Sequence, residues 1–222
     1  MPTFNTPEPI SAVLDIPAGR IQFIAADRAD TAVEVLPADP SKGRDVTVAE
    51  EAKVAYGDGV LRIEVSAKNQ YFGPSGSVAV TVQLPAGSAV EVNAASAELR
   101  AVGRLGDVAV MSDHGSIDLE DVAGARITTA AGDVSVGRLN GPAEIRTSKG
   151  DIRIAEAVRG ALALRTDAGD VEVGVAAGVS ATLDAGTLSG RIQNALNNTE
   201  GAAAPVTIHA TTSVGDIVAR SL

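Results

Sequence analysis

Apolar and polar positions alternate with a period of two along most of the chain. The alternation is clear in Ile10-Ser-Ala-Val13-Leu-Asp-Ile16, Arg20-Ile-Gln-Phe-Ile24, Thr31-Ala-Val-Glu-Val35, Val60-Leu-Arg-Ile-Glu-Val65 and Val78-Ala-Val-Thr-Val-Gln-Leu84. Such a period belongs to half-buried strands, because successive side chains on a strand point to opposite faces. Between these runs stand Pro17-Ala-Gly19, Pro37-Ala-Asp-Pro40, Gly57-Asp-Gly59 and Pro85-Ala-Gly87, which read as turns. Helical periodicity is absent. The one candidate, Glu50 to Val54, is too short to hold a helix alone. The polar, Gly-rich segment Ala67-Lys-Asn-Gln-Tyr-Phe-Gly-Pro-Ser-Gly-Ser77 is expected to be a long, mobile surface loop.

From about residue 88 the pattern repeats. Gly followed by a polar and then an aliphatic β-branched residue recurs as Gly115-Ser-Ile117, Gly132-Asp-Val134, Gly150-Asp-Ile152, Gly169-Asp-Val171, Gly190-Arg-Ile192 and Gly215-Asp-Ile217. The spacings are 17, 18, 19, 21 and 25 residues, and a degenerate copy, Ala97-Glu-Leu99, precedes them. Each copy contains two short strands with the same apolar face: Ala143, Ile145 and Thr147 then Ile152 and Ile154, followed one coil later by Leu162, Leu164 and Thr166 then Val171 and Val173. One such coil cannot enclose a core. Coils stacked about 4.8 Å apart turn each apolar position into a ladder. The predicted fold is therefore all-β: a single-stranded β-solenoid of about seven coils over residues 88–222, preceded by an antiparallel β-strand block over 1–87 that caps it. In sequence order the stack would close with Ser213-Val-Gly-Asp-Ile-Val-Ala-Arg-Ser-Leu222 as a raw strand edge. The insertion from Asn194 to Ala204 is expected to be a loop that folds over that end.

Composition narrows the functions. The 222 residues are 45% hydrophobic but only 2% aromatic, so the core must be built from Val, Ile, Leu and Ala. With no Cys, disulfides, thiolate metal sites and Cys catalysis are excluded. A formal net charge of −10, with scattered Arg and no basic stripe, argues against nucleic acid and anionic membrane surfaces. No apolar run is long enough to span a bilayer, and the opening MPTFNTPEPI has neither a basic nor an apolar leader segment, so a cytoplasmic location is expected.

The tandem Gly-Asp-[Val/Ile]-x-[Val/Ile] units, preceded by strands with Pro-Ala-Gly turns, resemble the bacterial "putative adhesin" family of unknown function. Its actinobacterial members look most similar, in the opening Thr-Pro-Glu-Pro-Ile, the Asp27-Arg-Ala-Asp30 and Pro37-Ala-Asp-Pro-Ser41 turns, and Ser213-Val-Gly-Asp-Ile217. The resemblance implies a repeated β fold and carries no catalytic signature.

Candidate chemistry is sparse. Asp133, Asp151, Asp170 and Asp216 recur at one place in each coil and are weak candidates for a cation-binding column. One carboxylate per coil supplies few ligands, whereas calcium takes six to eight oxygens. The bland reading is a strand-entry Asp that hydrogen-bonds turn amides. Tyr71 and Phe72 are candidate partner-binding aromatics on the loop, since exposed aromatics make good anchors. The recurring hydroxyls Ser112, Thr129, Thr147 and Thr166 read as structural, while His114 and His209 read as surface residues. Asp118, Glu120 and Asp121 form an acidic corner that a solenoid hydrolase or lyase could use, but the coils lack the aromatic platforms such enzymes place beside their acids. There is no Gly-x-Ser-x-Gly elbow and no phosphate loop. The expectation is a structural or interaction protein with no catalytic residues and no cofactor. It would bind an unknown protein or associate with itself through a solenoid end, and the alternative is a carbohydrate- or cation-binding surface module.

Overall fold

The computed structural model describes residues 1–65 and 76–222, so Tyr71 and Phe72 lie outside the described residues. The chain forms two compact units, Met1–Gly115 and Ser116–Leu222. Both are built almost wholly of strands, stacked in the manner of a β-solenoid, as the period-two pattern predicts.

The first unit contains β1 (Thr3–Asn5), β2 (Ser11–Ala26), β3 (Asp30–Pro37), α1 (Gly43–Glu50), β4 (Lys53–Gly57), β5 (Val60–Glu64), β6 (Val78–Pro85) and β7 (Ala89–His114). The Pro17-Ala-Gly19 turn bends β2, so its two halves serve two rows of strands. Residues 11–15 pair in parallel with β5, and 19–26 pair in parallel with β6. On its other edge, β2 pairs in parallel with residues 89–102 of β7. Antiparallel pairing does occur in the block before residue 88, but on the flanks: β4 lies antiparallel to β5, β3 to β6, and β1 to β3. Parallel stacking thus begins at Ser11, well before the recognisable repeats. The core of this unit is aliphatic apart from Phe23, with Leu14, Ile16, Ile21, Leu61, Ile63 and Leu84 fully buried.

The helix α1 corrects the expectation of a chain without helices. It precedes the Glu50–Val54 candidate and is anchored by polar contacts of Asp39 and Asp45 rather than by an apolar stripe. Asp39 Oδ1 accepts the Ser41 N–H at 3.0 Å and starts the turn. Asp45, 3% exposed, accepts the backbone N–H of Ser77 at 3.0 Å. An eight-residue helix stabilised by such contacts leaves no periodic signal in the sequence.

The second unit contains β8 (Ile117–Ala131), β9 (Val134–Leu139), β10 (Ala143–Lys149), β11 (Ile152–Ala157), β12 (Gly160–Ala168), β13 (Val171–Val175), β14 (Ala181–Ser189), β15 (Ile192–Ala195), β16 (Val206–Val214) and β17 (Ile217–Ser221). They form two rows of parallel strands. In the first row the order is β8, β10, β12, β16, β14. In the second it is β8, β9, β11, β13, β17, β15. Equivalent residues stay in register, so Ile117, Val134, Ile152, Val171, Ile217 and Ile192 make one continuous ladder.

This order overturns the expectation that Ser213–Leu222 is the raw edge. The rung β16/β17 lies inside the stack, and β14/β15 closes it. The crossing is made by residues 176–180 and 196–205, so the latter segment returns the chain across a rung. Stepping over one rung covers about 10 Å, two strand spacings, within reach of such segments. The reason lies in the inward residues. Those of β16 and β17 are Val206, Ile208, Ala210, Thr212, Ile217 and Ala219, all buried. At the position of Ala219, β15 carries Asn194. An amide buried between two rungs without a partner costs more than an alanine there, so the more apolar rung occupies the interior.

Candidate functional site

The recurring aspartates form a column at the corner between the two rows. Each carboxylate accepts the backbone N–H of the next rung: Asp151 N donates to Asp133 Oδ1 at 2.9 Å, Asp170 N to Asp151 Oδ1 at 2.8 Å, and Asp216 N to Asp170 Oδ1 at 2.7 Å. The column follows the spatial order of the rungs. It therefore passes from Asp170 to Asp216 and ends at Arg191. There Asp216 Oδ1 accepts the Arg191 N–H at 2.8 Å, while its Oδ2 accepts the Arg191 guanidinium at 2.9 Å. These bonds from Arg191 hold the Asp216 carboxyl below its ordinary 3.8. The terminal rung has no further rung whose N–H needs an acceptor, and there Asp is replaced by Arg. Among the described residues, no three His, Asp or Glu side chains gather as metal ligands. One oxygen of each of the first three carboxylates is committed to the backbone.

The hydroxyl ladder lies just inside the same corner. Thr147 donates to the Gly132 carbonyl at 3.4 Å, Thr166 to Gly150 at 3.0 Å, Thr212 to Gly169 at 3.0 Å and Thr187 to Gly215 at 3.0 Å. Each bond ties one rung to its neighbour. Thr129 Oγ1 alone, among the described buried side-chain polar atoms, has no partner. Of the histidines, His114 is exposed, and its carbonyl accepts the Ser112 hydroxyl at 3.0 Å. His209 faces outward, with Nδ1 at 2.9 Å from Asp184 Oδ2. At the acidic corner, Asp118 and Glu120 point outward, and Asp121 accepts Asn140 Nδ2 at 2.6 Å.

The most unusual surface is the end of the second unit. Among the described residues, β14 pairs laterally only with β16 and β15 only with β17, so one long edge of each strand lacks a neighbour. Ala181 N is taken by the Asn197 carbonyl at 3.0 Å, which covers the first residue of the edge and leaves the rest open. Ile192, whose ladder partners are 0–1% exposed, is 45% exposed here. Leu188 is 89% exposed at a position occupied by Ala130, Ser148, Asp167 and Ser213 in the other rungs. The sequence signal for this end is Gly190-Arg-Ile192, the copy with Arg where four others carry Asp. Periodicity alone does not reveal that the copy is last in space.

The family model described as Toastrack DUF4097 matches residues 13–220. A solved structure of a "putative adhesin" from Bacteroides fragilis NCTC 9343 is similar, with a TM-score of 0.58 and 13% identity, covering 98% of this chain and 95% of that one. A second, a "putative adhesin" from Parabacteroides distasonis ATCC 8503, gives a TM-score of 0.42 and 11% identity over 98% of this chain and 95% of that one. The first likeness shows the shared fold. No curated protein matches the chain.

Proposed function

The chain belongs to the Toastrack DUF4097 family, and from that premise we propose that it is a non-catalytic structural protein that assembles with a second copy of itself through the open β14/β15 edge. The observation that carries this reading is the exposed terminal rung, with Leu188 where the three rungs beside it carry Ser213, Asp167 and Ser148. An unpaired edge of this length is a template for strand addition unless it is blunted. Blunting takes charge, proline or a covering segment, and here a covering segment meets the strand at Ala181, whose N–H the Asn197 carbonyl takes. Here β14 reads Ala181-Thr-Leu-Asp-Ala-Gly-Thr-Leu-Ser189, with one charge and no proline.

The same strand is complementary to itself. Two copies related by a twofold axis through Ala185 pair antiparallel, with Leu183 facing Thr187, Thr182 facing Leu188, and Asp184 facing Gly186. Each Leu meets a β-branched residue, and no two like charges face each other directly. The twofold closes the assembly at a dimer.

Sedimentation velocity across a concentration series tests it. The expected result is a shift from one chain mass towards two, abolished by Leu188→Lys with Ile192→Lys while circular dichroism and melting temperature stay unchanged. A wild type that remains at one chain mass throughout overturns the assembly.

A further inference from the structure

The outer face of the first row of strands in the second unit carries a pair of arginines that the architecture does not need. Arg146 on β10 and Arg165 on β12 are direct cross-strand partners, with Thr128 and Thr211 continuing the same level on β8 and β16. Like charges directly opposed across a strand pair are unfavourable. The second row shows how this fold otherwise arranges charge. There Arg153 is the cross-strand partner of Glu172, with Nε at 3.0 Å from its carboxylate, and Arg138 is the partner of Glu156, with Nη1 at 2.7 Å. Only the first row sets cation beside cation.

The two guanidiniums turn away from each other along their own strands. Arg146 Nη2 reaches Glu144 Oε1 at 2.7 Å, and Arg165 Nη2 reaches Asp167 Oδ1 at 3.4 Å. Between them lies an open cavity of about 640 Å³. Its lining includes the hydroxyls of Thr128, Ser148 and Thr211, the imidazole of His209 and the small side chain of Ala163. Both arginines are accessible, 62% and 65% exposed, so their ion pairs are screened by water. Exposed pairs of this kind are worth at most about 1 kcal/mol, so either guanidinium can leave its carboxylate for a better partner.

We propose that this cavity binds a tetrahedral oxyanion, a sulfate or phosphate group, clamped between Arg146 and Arg165. Guanidinium forks match such oxygens in pairs, and one anion between the two cations converts their repulsion into attraction. The hydroxyls of Thr128, Ser148 and Thr211 supply further donors. Asp167 lines the site, and Glu144 lies beyond Arg146, its ion-pair partner. They hold the arginines in the empty state and release them when the anion arrives. The protein carries a net charge of −10, so general electrostatics disfavour anions and binding must be local. The group is either a free ion or an ester on a sugar, since both arginines stand on an exposed strand face. This inference is independent of the dimer reading, because it uses a strand face and not the β14/β15 edge.

Isothermal titration at low ionic strength in chloride buffer tests it, with four probes: sulfate, phosphate, glucose 6-sulfate and glucose 6-phosphate. The expected result is saturable 1:1 binding of at least one probe. Affinity should fall about tenfold or more in Arg146→Gln and in Arg165→Gln, the loss of one charge-assisted hydrogen bond. It should be unchanged in Arg153→Gln on the other row. Tighter binding of the esters than of the free ions identifies a sugar-borne group, and the reverse identifies a free ion. Both arginine variants should melt no lower than wild type, since each removes a like-charge contact. Absence of saturation by all four probes up to about 10 mM overturns the site, and so does equal weakening in Arg153→Gln.

Discussion

Substituting alanine for Gly169 is the sharpest test of rung stacking. Gly169 has φ of +153°, a region that L side chains rarely adopt. A Cβ there would lie 2.1 Å from the Gly150 carbonyl oxygen and 2.6 Å from its carbon. Both are backbone atoms of the neighbouring rung and cannot rotate away. Holding a non-glycine residue in this conformation costs about 1–3 kcal/mol. Relieving the overlap forces the two rungs apart at the corner. That breaks the bond from Gly150 N to the Ala168 carbonyl at 3.0 Å and the bond from Asp170 N to Asp151 Oδ1 at 2.8 Å. Each hydrogen bond is worth about 0.5–1.5 kcal/mol net. The expected loss is therefore about 2–6 kcal/mol, a large share of the roughly 5–15 kcal/mol that holds a domain folded. Gly186 on β14 is the control, because a Cβ there meets nothing within 4 Å. Gly186→Ala should stay within about 1 kcal/mol of wild type. Urea unfolding followed by circular dichroism gives both values. Equal midpoints for the two variants would refute the idea that close contact between corner backbones sets the rung geometry.

The hydroxyl ladder predicts a contrast between two otherwise similar substitutions. Thr166→Val removes a bond to the Gly150 carbonyl and should cost about 1–2 kcal/mol, whereas Thr129→Val removes a partnerless buried hydroxyl and should be neutral or stabilising in the same urea assay. Acid should weaken the protein in a defined window. Asp216 is held below 3.8 by its bonds from Arg191, and Asp39 is lowered to about 2, chiefly by its bond from the Ser41 hydroxyl. A lowered carboxyl contributes stability above its unfolded value and loses it as pH falls through the folded value, so melting temperature should drop below about pH 4 and continue falling towards pH 2. Asp216→Asn should flatten part of that slope. The rung order is open to cross-linking because the chain has no native cysteine. Ala163→Cys with His209→Cys places two thiols on partner positions of adjacent strands and should oxidise to a disulfide, whereas Ala163→Cys with Asp184→Cys, two strands apart, should not.

The all-β class and the ladders could be read directly, because inward positions such as Ile152, Val171 and Ile217 repeat at fixed offsets from a glycine that the corner requires. The outward direction of His209 followed from the same alternation. Three features were hidden for physical reasons. The helix α1 is held by Asp39 and Asp45, polar contacts that no hydrophobic period records. The parallel pairing of β2 with β7 joins residues almost eighty positions apart without a shared motif. The exchange of rung order depends on the relative polarity of Asn194 and Ala219, a comparison between coils and not a property of either. Arg191 was the visible clue, since a column of acceptors has no use for a carboxylate at its last step. The arginine clamp was equally hidden, because Arg146 and Arg165 become neighbours only once the register is known.

Because β16/β17 sits between β12/β13 and β14/β15, this unit cannot be completed in the direction of synthesis. A sequential solenoid can add each coil to the previous one as it leaves the ribosome. Here β14 and β15 emerge first and have no permanent seat until the later segment has threaded into place. In the interval, the exposed edges of β12 and β13 face a choice between the early rung and the late one. The early rung can dock there transiently and must then be displaced. Maturation of the second unit therefore waits on release of the whole segment, and a chain stalled near residue 200 would present an incorrectly closed stack to any chaperone or protease that meets it.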